Sequence, residues 1–262
     1  MNNARTNPVL NWISSEAKTT KLLFRSIPSV VVALFVISVV SMNLLANKTL
    51  LQIDWIAVDG GMLVSWLTFL TMDVVTKHFG PKASIRMSVF ALCINLLASL
   101  IFFIVSIINN QYSYAPEGFN SIFGGTWYIL LSSSIAFIVS AVVNSLLNFI
   151  IGKLFKKNPD GGFAFVVRAY GSTMISQFID NFIFALLTFM VFFPIFEGFS
   201  WTIWQCLGSA LFGALVELLF EIVFSPIGYY MSKKWKKENV GKEYFEYISN
   251  ENKGDLKDEN LN

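Results

Sequence analysis

Long apolar runs constrain this chain more than any other feature of its sequence. A helix needs about 20 apolar residues to cross a hydrocarbon core of about 30 Å. Six runs meet that requirement, over residues 28–47, 57–76, 87–109, 127–152, 171–196 and 203–231. The chain is 55% hydrophobic and only 14% charged, whereas soluble domains carry about 25% charged residues. The sequence therefore predicts an all-α, polytopic membrane protein with six transmembrane helices.

The runs divide the chain into three parts. Residues 1–27 form a polar, basic N-terminal segment, residues 28–231 form the transmembrane domain, and residues 232–262 form a charged tail that we expect to be disordered at its end. The second run opens with Gly60 and Gly61. Because glycines and polar residues interrupt it, a tilted or re-entrant element is the alternative to a full span there.

The distribution of basic residues predicts the orientation of the chain. The connections between runs 1 and 2, 3 and 4, and 5 and 6 lie on one side of the membrane and contain one basic residue, Lys48. The other 18 of the 19 basic residues lie in the two terminal segments and in the connections between runs 2 and 3 and between runs 4 and 5, on the other side. Because lysine and arginine accumulate in cytoplasmic loops, both termini are predicted to be cytoplasmic in a protein of the cell membrane.

Several classes of function are unsupported by the sequence. The 19 basic and 17 acidic residues nearly balance, which argues against nucleic-acid binding. Cys93 and Cys206 lie in apolar runs, and His78, the single histidine, lies in a predicted inner loop, so no metal site or nucleophile–base pair is indicated. A phosphate-binding glycine-rich loop is also missing. We therefore expect a protein that is not an enzyme and uses no cofactor or metal.

Four acidic side chains within the predicted spans require an explanation. They are Asp73, Asp180, Glu217 and Glu221. A charge at the centre of a transmembrane helix costs about 2.5–3.5 kcal/mol on insertion scales, and such residues usually mark functional sites. Asp73 lies four residues before Lys77, so an ion pair near the inner surface is an equal alternative for it.

The polar residues of four predicted spans fall at similar depth. With a rise of 1.5 Å per residue, Asp180 and Glu221 lie about 14 and 15 Å from the inner helix ends, and Asn95 and Asn144 lie about 12 Å in. Transporters commonly bind their substrates near this midplane. The residues predicted to bind a substrate are Asp180, Gln177, Asn181, Glu221, Glu217, Asn144 and the aromatic Phe184.

Simple helix packing is the alternative interpretation for the less costly polar residues. Interhelical hydrogen bonds of Asn43, Asn47, Asn95 and Asn148 would contribute about 0.6 kcal/mol each. The small residues Ser209, Ala210, Gly213 and Ala214 are more typical of a close-packed helix seam than of a binding site.

Several segments resemble the queuosine-precursor transporter family, also described as vitamin-uptake-transporter-like. The resemblance covers residues 28–231, and its clearest stretch runs from Arg168-Ala-Tyr-Gly-Ser172 to Gln177 and Asp180-Asn181. Further matching segments are Asn43 to Lys48, Thr68 to Thr76 with Gly80, and Glu221 with Pro226. Lys77-His78 stands where an acidic residue is usual in the family.

This resemblance implies six transmembrane helices and import of 7-deazaguanine bases (preQ0, preQ1 or queuine) for tRNA modification. It also implies structural or gating roles for Arg168, Ser172, Asp73 and Asn47. A carboxylate such as Asp180 or Glu221 can accept both donors on the guanine-like edge, and Glu217 would attract an aminomethyl ammonium group.

Other functions remain open from the sequence alone. The chain can be a stand-alone importer of a purine-like base, with proton coupling through its unpaired carboxylates. It can instead be the substrate-binding membrane subunit of a vitamin importer that needs separate ATPase partners, or a membrane scaffold that transports nothing. Membrane lipid is the expected surrounding, and association into homo-oligomers is left open.

Overall fold

The computed structural model describes residues 8–108, 118–154 and 162–259, together with residues 114 and 116. Within them lie nine α-helices, one π-helical segment and one two-stranded hairpin. In chain order these are α1 (Pro8–Ser26), α2 (Ser29–Leu45), β1 (Thr49–Ile53), β2 (Ile56–Asp59), α3 (Met62–Phe79), α4 (Pro81–Ile107), α5 (Phe119–Leu154), α6 (Gly162–Ala185), the π-helical segment (Leu186–Phe192), α7 (Phe193–Phe196), α8 (Ile203–Lys237) and α9 (Lys242–Glu259).

Four stretches of helix in the described part of the chain are long and apolar enough to cross a membrane. They are Pro81–Ile107, Phe119–Ser140, Met174–Phe196 and Ile203–Phe224. A fifth is added if α1 and α2, which are bent by 104° at the break before Ser29, are counted as one span. The chain is thus a helical, multi-pass membrane protein, and six spans with cytoplasmic termini stay a prediction.

Local sequence signals explain where several of these helices begin. Proline lacks an N–H and fits the first helical turn, and α4 begins with Pro81 directly after α3 ends at Phe79. Pro28 is instead the N-cap residue of α2, two residues after α1 ends at Ser26. Thr202 and Gln205 form a reciprocal capping box at the start of α8, with hydrogen bonds of 3.2 and 2.8 Å.

A β-hairpin occupies the region where the second apolar run was expected to begin. β1 and β2 pair antiparallel, with Ile53 opposite Ile56, and α3 begins only at Met62 rather than at residue 57. Strand β2 is largely buried, whereas β1 is mostly exposed. The expectation of a helix over the first residues of 57–76 is therefore wrong, because Asp59, Gly60 and Gly61 favour a turn after a strand.

The hairpin is packed onto the start of α8. The carbonyl of Trp55 approaches Gly208 so closely that no Cβ would fit at that position. Gln205 donates a 2.8 Å hydrogen bond to the carbonyl of Ile53, and the indole of Trp201 donates to Thr49 at 3.3 Å. These contacts fix the hairpin along one end of the helix bundle.

Five helices form a closed ring. In order around the ring, α2 packs on α3, α3 on α8, α8 on α6, α6 on α5, and α5 back on α2. Helix α4 lies outside this ring, against α2, α3 and α5. In this order α8 lies between α3 and α6, and both pack against it.

The two terminal helices meet at the other end of the bundle, where α1 packs against α9. Helix α8 continues to Lys237, and residues Lys242–Glu259 form α9. Tyr244 and Trp235 are buried in the apolar core of this end. Burial of these aromatic side chains holds the start of α9 against the bundle, and disorder at the end of the tail stays a prediction.

Two polar contacts fix the same end. The guanidinium of Arg86 on α4 forms a bidentate pair with Glu16 on α1, with a shortest distance of 2.8 Å. The imidazole of His78 lies 2.9 Å from the carbonyl of Val240, between α8 and α9. His78 thus has a packing role in the structure, since it also contacts the rings of Phe79 and Trp235.

Candidate functional site

The helical ring encloses a cavity of about 560 Å³, a volume that includes its open mouth. Its wall is built from all five ring helices and from the end of the hairpin. The residues that line it are Met42, Asn43, Ala46, Asp59, Gly61, Met62, Ser65, Ser133, Asp180, Asn181, Phe184 and Glu217.

Two consecutive residues of α6 supply a carboxylate and an amide to the cavity wall. Ser140 on α5 donates a 2.8 Å hydrogen bond to Asp180 Oδ1, which fixes the orientation of that carboxylate. The amide of Asn181 donates to Glu217 Oε2 on α8 at 3.1 Å. A carboxylate accepts several hydrogen bonds, so both acids keep the capacity to accept donors from a bound molecule.

Asp59 is a third acid of this cavity, and the sequence did not indicate it. It ends strand β2, is only 7% exposed, and accepts a 2.7 Å hydrogen bond from the backbone N–H of Gly61 at the start of α3. Residues 57–76 were interpreted as a span, so Asp59 was not recognised as a cavity residue. The Asp-Gly-Gly sequence just before an apolar helix is the signal that would have identified it.

Close packing between helices shapes the same wall. A Cβ at Gly213 on α8 would lie 2.9 Å from the Asn181 amide nitrogen, so the glycine leaves space for that side chain. Ala210 and Ala214 are fully buried, as expected for a seam of small residues. Gly61 similarly lets α3 approach α2, where an added Cβ would lie 2.6 Å from the carbonyl of Met42.

An aromatic ring borders the polar groups. Phe184 lies one turn after Asp180 on α6 and lines the cavity. Its ring meets the ring of Phe189 edge to face, with 6.2 Å between the ring centroids. The π-helical segment Leu186–Phe192 begins two residues after Phe184. Such wide turns occur often near functional sites, and this one follows the cavity-lining part of α6 directly.

The structure brings together four of the residues predicted for the site. Asp180, Asn181, Phe184 and Glu217 all line the cavity. Gln177 is buried but is not among the described cavity residues, and its Oε1 atom has no hydrogen-bond partner in the described part of the chain. Asn47 donates to the carbonyl of Leu44 at 2.9 Å, which indicates a role in ending α2.

Other predicted residues cannot be assigned contacts. The side chains of Asp73, Asn144, Arg168, Ser172 and Glu221 lie outside the described residues, although their helices are placed. Their places in the proposed site stay predictions.

The charge of the cavity is one-sided. Among the described residues that line it there are three carboxylic acids and neither lysine nor arginine. No group of three or more His, Cys, Asp or Glu side chains within the described residues is close enough to hold a metal ion. The three acids come from three elements, which are the hairpin end, α6 and α8.

Comparison with known proteins gives one family. Residues 59–231 match the family model described as "Putative vitamin uptake transporter". No curated protein and no solved structure matches the chain. The matched region begins at Asp59 and contains α3 to α7 and most of α8, and with them most of the cavity wall. Because the model covers more than half of the chain, this protein belongs to the vitamin uptake transporter family.

Proposed function

We propose that this protein imports queuosine precursors, which are 7-deazaguanine bases, across the cell membrane for use in tRNA modification. The observation that carries the proposal is the cavity whose wall includes Asp180, Asn181 and Phe184 of α6 together with the start of α3. Family membership supports uptake of a small molecule. The sequence resemblance described above supports the narrower class of substrate.

The cavity chemistry fits a flat, nitrogen-rich base. A 7-deazaguanine presents a ring N–H and an amino group on one edge, and a carboxylate such as Asp180 can accept both in a bidentate pair. The amides of Asn43 and Asn181 each carry a second N–H that can donate to the carbonyl oxygen of the base. The ring of Phe184 provides an apolar face for stacking.

Complementation tests the proposed substrate class. A bacterial strain that cannot synthesise or import the deazapurine core receives this gene or an empty vector, and one precursor is supplied at a time. We expect queuosine to appear in its tRNA at low external precursor concentrations only when the gene is present. Equal queuosine levels with gene and vector for every precursor would contradict the proposal.

A second measurement separates a stand-alone importer from a subunit that depends on ATPase partners. The chain has no phosphate-binding loop, so a stand-alone importer must use a gradient. We expect the purified chain to accumulate the base in liposomes. Loss of accumulation on addition of a protonophore would indicate proton coupling, whereas uptake only in the presence of added ATPase subunits would favour the subunit alternative.

A further inference from the structure

We infer that Asp59 is a specificity residue that makes the site prefer a base carrying an ammonium group over the neutral base with the same ring. The inference rests on the proposed function and extends it from a substrate class to a choice within that class. It is carried by the position of Asp59, by the one-sided charge of the cavity and by the placement of its acids on three different elements.

Asp59 belongs to a different part of the cavity wall from the proposed ring-binding group. It lies at the end of the hairpin where α3 begins, whereas Asp180, Asn181 and Phe184 belong to α6. Helices α3 and α6 both pack against α8, and Glu217 of α8 lines the same cavity. A 7-deazaguanine carries its substituent on the edge away from the ring N–H and amino group, so a base held by Asp180 leaves that substituent to the acids of the remaining wall, Asp59 and Glu217.

The acid is fixed in place before any ligand arrives. Asp59 Oδ1 accepts the N–H of Gly61 at 2.7 Å, and a Cβ at Gly61 would lie 2.9 Å from the same oxygen. A group held in this way loses little side-chain freedom on binding, which makes its interaction with a ligand cation more favourable.

The charge balance favours a cation. The acids Asp59, Asp180 and Glu217 line the cavity, and the described lining residues include neither lysine nor arginine to neutralise them. A metal ion is a poor occupant because these acids do not form a group that could hold one. An ammonium group on a flexible arm can donate charge-assisted hydrogen bonds to the Asp59 carboxylate, whereas a neutral nitrile has no hydrogen to donate.

Two bases with identical rings test the inference. They are 7-aminomethyl-7-deazaguanine, which is cationic at neutral pH, and 7-cyano-7-deazaguanine, which is neutral. Initial uptake of both is measured in the same cells for the wild type, for Asp59→Asn and for Asp54→Asn. The readout is the ratio of the two uptake rates at low concentration, because this ratio does not depend on how much folded protein reaches the membrane.

Asparagine at position 59 keeps an oxygen that can accept the Gly61 N–H and removes only the charge. We expect the ratio of aminomethyl to cyano uptake to fall about 10- to 100-fold in Asp59→Asn, as for loss of a charged hydrogen bond. Asp54 lies on the exposed turn of the same hairpin, so Asp54→Asn is the matched control and should keep the wild-type ratio.

Each outcome has a defined meaning. An unchanged ratio in Asp59→Asn, or a wild type that takes up only the cyano base, would overturn the inference while leaving the proposed function intact. An equal fall in Asp54→Asn would also overturn it, since a general surface charge would then explain the preference. A wild type that takes up neither base would overturn the proposed function itself.

Discussion

The amide of Asn181 and the carboxylate of Glu217 join α6 to α8 through a 3.1 Å hydrogen bond at the wall of the cavity. Gly213 lies one helical turn before Glu217, and a side chain there would contact the Asn181 amide. The bond therefore depends on a glycine at position 213, because an added Cβ would lie 2.9 Å from the Asn181 amide nitrogen. Packing and polar chemistry are coupled at this position.

Neutralising Asp180 tests whether it binds the base. In Asp180→Asn the oxygen that accepts from Ser140 is kept, but the bidentate acceptor is lost. We expect initial uptake at low substrate concentration to fall by about tenfold or more, with an unchanged amount of protein in the membrane by immunoblot. Wild-type uptake by this variant would remove Asp180 from the site.

Substitution of Glu217 separates binding from stability. Glu217→Gln keeps an acceptor for Asn181 and should lower uptake while thermal unfolding in detergent stays unchanged. Glu217→Leu leaves the Asn181 amide unpaired and should lower the free energy of unfolding by about 1–3 kcal/mol. The double variant Asn181→Leu/Glu217→Leu should be more stable than Glu217→Leu alone. A double variant that is less stable still would contradict the pairing.

The hairpin contact is tested at Gly208. The carbonyl of Trp55 leaves no room for a Cβ there, so Gly208→Ala must displace the hairpin from α8. We expect faster proteolytic cleavage within β1–β2 and reduced uptake. Gly171→Ala on α6 is the matched control, because an added Cβ meets nothing within 4 Å and alanine favours the helix by about 0.5–1 kcal/mol. Equal effects at both glycines would contradict the contact.

The Arg86–Glu16 pair is expected to hold α1 against the bundle. Its side chains are 17% and 43% exposed, so Glu16→Gln should cost about 1 kcal/mol or less and increase cleavage of α1 by protease. Glu246→Gln breaks the pair between Lys242 and Glu246, whose two side chains are 72% and 63% exposed. This substitution should change neither the stability nor the cleavage of α1 measurably. Identical protection of α1 in Glu16→Gln and wild type would argue against the role of the pair.

Sequence reasoning identified the apolar helices and part of the cavity wall for a clear physical reason. A carboxylate in an apolar run is costly, and this cost marked Asp180 and Glu217, which line the cavity. Helical spacing then indicated Asn181 and Phe184 on the same stretch of α6. Composition also predicted the helical membrane class, because so few charged residues cannot cover a water-facing surface.

The features that sequence reasoning missed depend on tertiary contacts. The hairpin between α2 and α3 is held by Gln205 and Gly208 of α8, which are about 150 residues away in the chain. Its apolar strands resembled the beginning of a membrane span, so Asp59 was overlooked. Packing of the start of α9 likewise depends on burial of Tyr244 against residues of other helices, and such a contact cannot be read from the charged composition of the tail.

The position of α4 outside the ring has a consequence for how such proteins can diverge. None of the described residues that line the cavity belongs to α4, and in its most apolar stretch only 22% of the residues are buried. The lipid-facing side of α4 packs only against acyl chains, and almost any apolar side chain can make that contact. Among relatives with the same cargo, we therefore expect the outer surface of α4 to drift freely while the cavity wall is retained.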